Sequence, residues 1–337
     1  MTLSRGDVAE RLGLGEEYAA WLAHLDALGP VPDVVALSLD QTEAELRRLG
    51  FAADDARDVI DTRGAIHADP SLRWLFDRAV HGMRLEVGLL DGSRRTPTLP
   101  AVLGAPGRLF WVHVYLAALP AIREWHAARG VTETISEDTL SDFGRHVALY
   151  RRRTGLPGLD TQWWLSLHFR GALFALGRLQ FNPFSLCTGP AGPLFWYPEA
   201  PNPALRCGQP ALGVHIPESG PLTPSAVDAA LGQAYHFFRE TFPAQASNVA
   251  VCTSWLLDEQ LADYLAADSN IVRFQRRFTL LPGSKEADAS PFHFVFGTSP
   301  AAAPTLQPRT TLERALLGHL ADGKHWALRT GWLQLGP

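Results

Sequence analysis

Lysine is nearly absent from this 337-residue chain, where Lys285 and Lys324 stand among 30 basic residues. Arginine and alanine are used instead, which marks GC-rich coding and not function. No Walker A sequence occurs, and no G-x-G-x-x-G follows a strand, so nucleotide binding of those kinds has no support. Cysteine is scarce: Cys187, Cys207 and Cys252 are an odd number without metal-like spacing. That argues against a disulfide framework and makes a reducing cytoplasm the default expectation. No run approaches about 18 uninterrupted apolar residues, so no membrane span is expected. Met1–Asp7 shows no apolar core of a signal peptide. The 12 histidines include no H-E-x-x-H and no paired ligand spacing, so no metal is expected. A net charge of −5 gives no global attraction to nucleic acid or an anionic membrane.

What the chain does contain is apolar residue, 46% against 19% charged, enough for a packed core in one large or two ordinary domains. Residues 1–155 read as helical. Tyr18, Trp21, Leu22, Leu25 and Leu28 repeat at a helical period, as do Leu72, Leu75, Phe76, Ala79 and Met83 behind Asp69-Pro70. Residues 91–107 read as loop, 109–129 as an apolar helix, and Ser136 as the cap of a helix ending at Arg151-Arg152-Arg153. The character changes near Thr154–Gly158, so a second domain is placed at 156–337, of α/β or α+β class. In it, 160–170 fits helix and strand equally. Residues 173–186, 278–281, 292–297 and 325–335 are strand candidates, and 310–321 is a helix. Gly189–Pro203 reads as loop around the apolar piece Leu194–Tyr197.

The second domain is organised around Gln209–Phe278, which reads strand, turn, helix, strand, helix. In Ala211–Ile216, Leu212, Val214 and Ile216 share one face; Ala211, Gly213 and His215 share the other. In Asn248–Leu257, Ala250, Cys252 and Ser254 share a face, and small side chains there are expected to face Gly213 and His215. Between the strands, Gly220 permits a tight turn, and Thr223 with Pro224 makes a good helix start. Such a helix end attracts anions, though an ordinary strand-to-helix connection has the same residues.

Several strings carry a family resemblance. They are Leu159–Trp164, His168-Phe169-Arg170-Gly171, Gly177–Phe181, His215-Ile216-Pro217, Gly220-Pro221-Leu222, Cys252–Asp258 and Ser269–Phe278. Through them the second half resembles the C-terminal domain of the GNAT-like acyltransferases of actinobacteria, and the first half resembles the helical domain that accompanies it. The resemblance implies a mixed sheet whose two central strands splay apart, with an acyl-CoA arm lying between them. It places the arm against Gly213, Val214 and Ile216. It places the pyrophosphate near Ser219, Gly220, Leu222, Thr223 and Ser225. The general GNAT loop reads Arg/Gln-x-x-Gly-x-Gly/Ala; here only Gly220 remains of it. Prolines occupy 217, 221 and 224 and remove N–H donors.

The reaction so implied is direct attack of an amine or hydroxyl on an acyl-CoA thioester, with acetyl-CoA as the first donor to consider. The acceptor is a small molecule or a protein amine, held in a groove between the domains; oligomeric state is left open. His215 is the first base candidate, because an imidazole ordinarily titrates near neutrality, and Glu218 is the second. Tyr264 stands where related folds place the acid. Cys252 offers a covalent alternative. Each has a plainer reading: a hydrogen-bonded strand histidine, a solvated carboxylate, a core tyrosine, a buried thiol. Arg273, Arg276 and Arg277 read as a solvated face with carboxylate partners. Trp163, Trp164 and His168 read as acceptor pocket or aromatic core. The competing class of function is a non-catalytic acyl-CoA-binding or scaffold module, which the glycine-poor turn favours.

Overall fold

The structure, a computed structural model, describes residues 3–35, 37–90, 96–187 and 202–336. The expected apolar piece Leu194–Tyr197 lies outside them. The chain divides into two compact units, Met1–Leu173 and Phe174–Pro337.

The first unit contains nine α-helices among its described residues: α1 Arg5–Leu12, α2 Ala19–Ala27, α3 Leu39–Arg48, α4 Ala53–Ala68, α5 Pro70–Leu85, α6 Gly104–Ala128, α7 Glu133–Leu140, α8 Asp142–Thr154 and α9 Gln162–Phe169. Local chemistry starts several of them. Ser4 and Ser38 form capping boxes with Asp7 and Gln41. The Asp69 carboxylate accepts from the N–H groups of Ser71 and Leu72, with Pro70 at the first helical position. The core runs along α6, where Leu109, Phe110, Val112, Val114 and Tyr115 are fully buried. By length and composition Ala101–Ala128 is apolar enough to cross a membrane, although its apolar run is interrupted; 67% of its most apolar window is buried.

Three boundaries differ from expectation. Within 91–107, the stretch from Gly104 is already α6. Thr132, not Ser136, caps the next helix. Ser136 sits inside α7, its hydroxyl 2.8 Å from His126 Nδ1. The stretch Thr154–Gly158 ends α8 through the left-handed Gly155, and no unit boundary falls there. The following segment is the helix α9, because Leu165 and Phe169, four residues apart, are both buried in the helical core. Phe169 stacks on Tyr115 at 4.6 Å between ring centroids.

One close approach fixes how α8 begins. The N–H of Gly144 donates to Leu49 O at 3.0 Å, and a Cβ there would lie 2.3 Å from the carbonyl of Gly50. Backbone cannot retreat as a side-chain tip does. Gly144→Ala is therefore expected to lower unfolding free energy by about 1–3 kcal/mol, read from denaturant midpoints at constant slope.

The second unit is a mixed sheet with strands β1 Phe174–Leu176, β2 Leu179–Ser185, β3 Pro210–His215, β4 Val249–Ser254, β5 Thr279–Leu280, β6 Lys285–Glu286 and β7 Ala327–Gln334. The order is β1-β2-β3-β4-β7-β5, with β6 also on β7. The β3–β4 pair is parallel; the other pairs are antiparallel. The crossover between β3 and β4 runs through α10 Pro224–Thr241, capped by Thr223. Its residues Val227, Ala230, Ala234, Phe237 and Phe238 are buried, and Phe174 of β1 packs on Phe237 and Phe242. A short helix, α11 Asn270–Gln275, follows Ser269, and α12 Thr311–Ala321 precedes β7 behind a capping box of Thr310 and Glu313. Two expected elements change type. Residues 292–297 hold a π-helical turn, Phe292–Phe296, closed by Gly297. The segment after β4 is 3₁₀ helix at Trp255–Leu257 and Glu259–Asp263.

Cysteine usage alone predicts three free thiols. Instead Cys187, just past β2, is bonded to Cys207, just before β3. The β2–β3 pairing brings their Cα atoms to 5.2 Å, a separation a disulfide spans.

Candidate functional site

The parallel ladder between β3 and β4 is short. It pairs Leu212 with Ala250 and Gly213 with Val251, and then stops. Beyond that point β3 stays with β2 as far as His215, and β4 stays with β7 as far as Ser254. The two central strands are thus claimed by different neighbours and part. Beyond this last pair the two strands have no further paired residues, which leaves a strand edge suited to an extended ligand.

Register decides which side chains flank the split, because paired residues point to the same face. Gly213 and His215 share a face with Asn182 and Gln180 of β2, Val251 and Thr253 of β4, and Thr330 of β7. At the paired end of the strands this face is apolar, with Ala211, Val249 and Val251 buried together beside Phe184 and Trp332. Toward the split it turns polar. The expected meeting of Gly213 and His215 with Ala250, Cys252 and Ser254 is therefore corrected: those three project from the other face, with Leu212 and Val214.

His215 has a defined partner. Its Nε2 lies 2.6 Å from Asn182 Oδ1. The contact passes over Gly213, where a Cβ would sit 2.1 Å from that same oxygen. With the amide oxygen accepting, Nε2 is the donor and Nδ1 carries the lone pair that can take a proton. Across the split, Thr253 Oγ1 and Thr330 Oγ1 are 2.9 Å apart.

The other proposed chemical groups are placed less favourably. Cys252 is buried and burial pushes its thiol up to about 12, so almost no thiolate exists at neutral pH. It lies on the opposite sheet face from His215, a placement that speaks against the covalent alternative. Cys252→Ala is expected to keep turnover within a factor of about two in a steady-state assay. Tyr264 ends the 3₁₀ stretch after β4, and its hydroxyl is 3.0 Å from His319 Nδ1 of α12. It packs against the cluster of Trp255, Leu261, Leu316 and Trp326, so it reads as a core tyrosine. Glu218 is exposed, in the turn beyond β3. His168 is fully buried, 3.1 Å from Asp142 Oδ2, whereas Trp163 is 58% exposed. Of the basic segment, Arg277 has the expected carboxylate partner, Asp228 at 2.6 Å, and it also donates to the Pro224 carbonyl.

The turn that follows β3 is held in a way the sequence does not announce. Arg178 stands in the two-residue turn between β1 and β2, next to Gly177 at φ +64°. Its Nε donates to Gly220 O at 3.1 Å and Pro221 O at 3.2 Å. Nη1 donates to Pro217 O at 2.9 Å and Ser219 Oγ at 3.4 Å, and Nη2 to Gly220 O at 2.7 Å. Gly220 itself has φ +116°, a conformation that favours glycine. Ile216 leads into this turn and Leu222 is buried at its end. At the helix start, Thr223 Oγ1 accepts from Ala226 N–H at 3.4 Å, and Ser225 is exposed. Asn182 and Arg178, which hold His215 and this turn, are not singled out by the sequence; both lie on or beside β2, remote in the chain from the groups they hold.

One further trio brings ligand-type atoms within 4.8 Å: Glu286, Asp288 and His325. Asp288 accepts from the Trp326 N–H and from His325 Nδ1, each at 2.7 Å. This hydrogen bond, followed by the charge of Glu286, raises the pKa of the imidazole, and together the bonds tie β6 to the start of β7.

A helical unit followed by a mixed sheet with parting central strands defines an acyltransferase of the GNAT type. The chain belongs to the family that joins an N-acyltransferase N-terminal domain, matched over residues 40–171, to a GNAT-like C-terminal domain, matched over 173–333. It is similar to an acyltransferase solved in complex with decanoyl-CoA and teicoplanin, at 38% identity and a TM-score of 0.88 over 99% of this chain and 100% of that one. It is similar also to an acyltransferase mutant in complex with octanoyl-CoA, at 37% identity and a TM-score of 0.88 over 99% and 100% of the two chains. An acyltransferase in complex with decanoyl-CoA matches at 38% identity and 0.89, again over 99% and 100%. No curated protein sequence matches.

Proposed function

We propose that this protein transfers an acyl group from acyl-CoA to a small-molecule acceptor, by direct attack of an acceptor amine or hydroxyl on the thioester. The observation that carries the proposal is the end of the β3–β4 ladder at Gly213 and Val251, with a polar face and His215 beside it. The acyl chains held by the related enzymes, decanoyl and octanoyl, extend the donor beyond acetyl, and teicoplanin is the acceptor to try first.

In the proposed reaction the acceptor nucleophile adds to the thioester carbonyl. His215 Nδ1 takes the proton that the nucleophile loses. A backbone N–H at the parted end of β3, at Val214 or His215, stabilises the developing oxyanion, a contribution of about 3–4 kcal/mol when well aimed. The carbon–sulfur bond then breaks, and CoA leaves as the thiolate that takes up a proton. Asn182 fixes the tautomer of His215, so that the lone pair is at Nδ1.

The test is a titration of the full chain with decanoyl-CoA followed by a thiol-release assay with teicoplanin. Decanoyl-CoA at about 100 times its Kd is expected to raise unfolding free energy by about 2.7 kcal/mol. Free CoA thiol is expected to appear in step with an acylated product. Neither a thermal shift nor thiol release with any acyl-CoA would remove the reading. A shift without release across a panel of amines and hydroxyls would instead support the non-catalytic binding module.

A further inference from the structure

We infer that Arg178 is a positioning residue for the diphosphate end of the acyl donor, an inference that rests on the acyl-CoA reading above. The turn after β3 lacks the repeated glycines of a backbone anion cradle. Pro217, Pro221 and Pro224 each remove an N–H donor from it. Within the turn the Ser219 N–H donates to Pro217 O at 2.9 Å, which does not by itself shape a cradle for an anion. The guanidinium of Arg178 supplies the order instead, holding three carbonyls and one hydroxyl at once.

The consequence follows from peptide geometry. The peptides here are trans, and in a trans peptide the carbonyl and the next N–H point in opposite directions. Drawing the Pro221 carbonyl toward Arg178 aims the Leu222 N–H away from it. Drawing the Pro217 carbonyl inward does the same for the Glu218 N–H. Among the described residues none accepts from the N–H of Leu222, Gly220 or Ser225. Leu222 and Ser225 flank the capped start of α10, where partial positive charge already favours an anion. Arg178 therefore acts through the turn, presenting N–H groups on the side where a diphosphate would lie. A lysine cannot replace it, because one ammonium does not match a fork of four acceptors.

The acyl chain and the pantetheine arm make no demand on this turn, and the experiment uses that difference. The full chain and its Arg178→Ala and Arg178→Lys variants are titrated calorimetrically with decanoyl-CoA and with S-decanoyl-pantetheine, which lacks the diphosphate. Wild-type binding of decanoyl-CoA reports on the acyl-CoA reading by itself. Arg178→Ala is expected to weaken decanoyl-CoA about tenfold to hundredfold, as losing charge-assisted hydrogen bonds does, and Arg178→Lys to recover only part of this. Affinity for S-decanoyl-pantetheine is expected to stay within about twofold in both variants, since no diphosphate contact is present to lose. Equal losses for the two ligands, or no loss for decanoyl-CoA in either variant, would overturn the inference while leaving the acyl-CoA reading standing. If Arg178→Ala does not fold, the comparison of ligands in Arg178→Lys gives the same decision.

Discussion

His215→Ala is expected to lower kcat for acyl transfer by about 10²- to 10⁴-fold, the span of a positioned general base, with little change in KM for the acyl donor. The reason is geometric. β3 carries the imidazole to the end of its pairing with β2, at the point where β4 has already departed. Asn182 holds Nε2, and the lone pair is left at Nδ1. Two companion variants separate chemistry from folding. Asn182→Ala removes the tautomer control and is expected to cost activity and displace the pH profile while His215 is still present. Gly213→Ala drives a methyl into the Asn182 oxygen and is expected to do the same with both partners still present. Turnover by His215→Ala within a factor of about three of wild type would remove the base assignment.

Breaking the Cys187–Cys207 bond is expected to cost about 3 kcal/mol of stability. That is the loop-closure value for a sequence separation of 20 residues in the chain-entropy account. For a domain of this size the loss corresponds to a fall of about 6–12 °C in the midpoint of unfolding. Thermal unfolding with and without dithiothreitol measures it, and the Cys187→Ser/Cys207→Ser variant should show the lower midpoint under both conditions. Thiol titration of the denatured, unreduced protein gives an independent check. One reactive thiol, Cys252, is expected, and three would show that the bond does not form. The bond ties the entry of β3 to the exit of β2, so its loss should be felt in the hairpin that carries Asn182 and His215.

Much of the architecture was legible because it is set locally. Ser4, Asp69 and Thr223 each stop backbone donors from going unsatisfied at a helix start, and a cap needs only its next three residues. The alternation in 211–216 placed β3 to within one residue, and the apolar run in 248–257 located β4 but ran three residues past its end, where Trp255–Leu257 turn into 3₁₀ helix. The short apolar stretches were harder. Residues 160–170 fitted helix and strand alike until burial of Leu165 and Phe169 by the helical core chose helix, and 292–297 became a π-turn although its aromatic content favours strand. The site was legible as a place and much less so as a set of side chains. His215 and Gly213 were identified, but Cys252 was put on their side of the sheet, because a one-residue shift in register exchanges the faces.

By itself the sequence determined the helical character of the first half, the strand-turn-helix-strand order of 209–257, the capped start of α10, the loss of N–H donors from a turn with three prolines, and the presence of an imidazole at the end of a central strand. Each depends on residues adjacent in the chain or on side-chain chemistry alone. Only the tertiary structure decided that β3 and β4 part after two paired residues, that Asn182 reaches over Gly213 to His215, that Arg178 gathers the proline turn, and that Cys187 meets Cys207. Those four are contacts between segments separated in sequence, and their energies depend on which strands claim which neighbours. Spacing along a chain does not reveal that choice; strand pairing does.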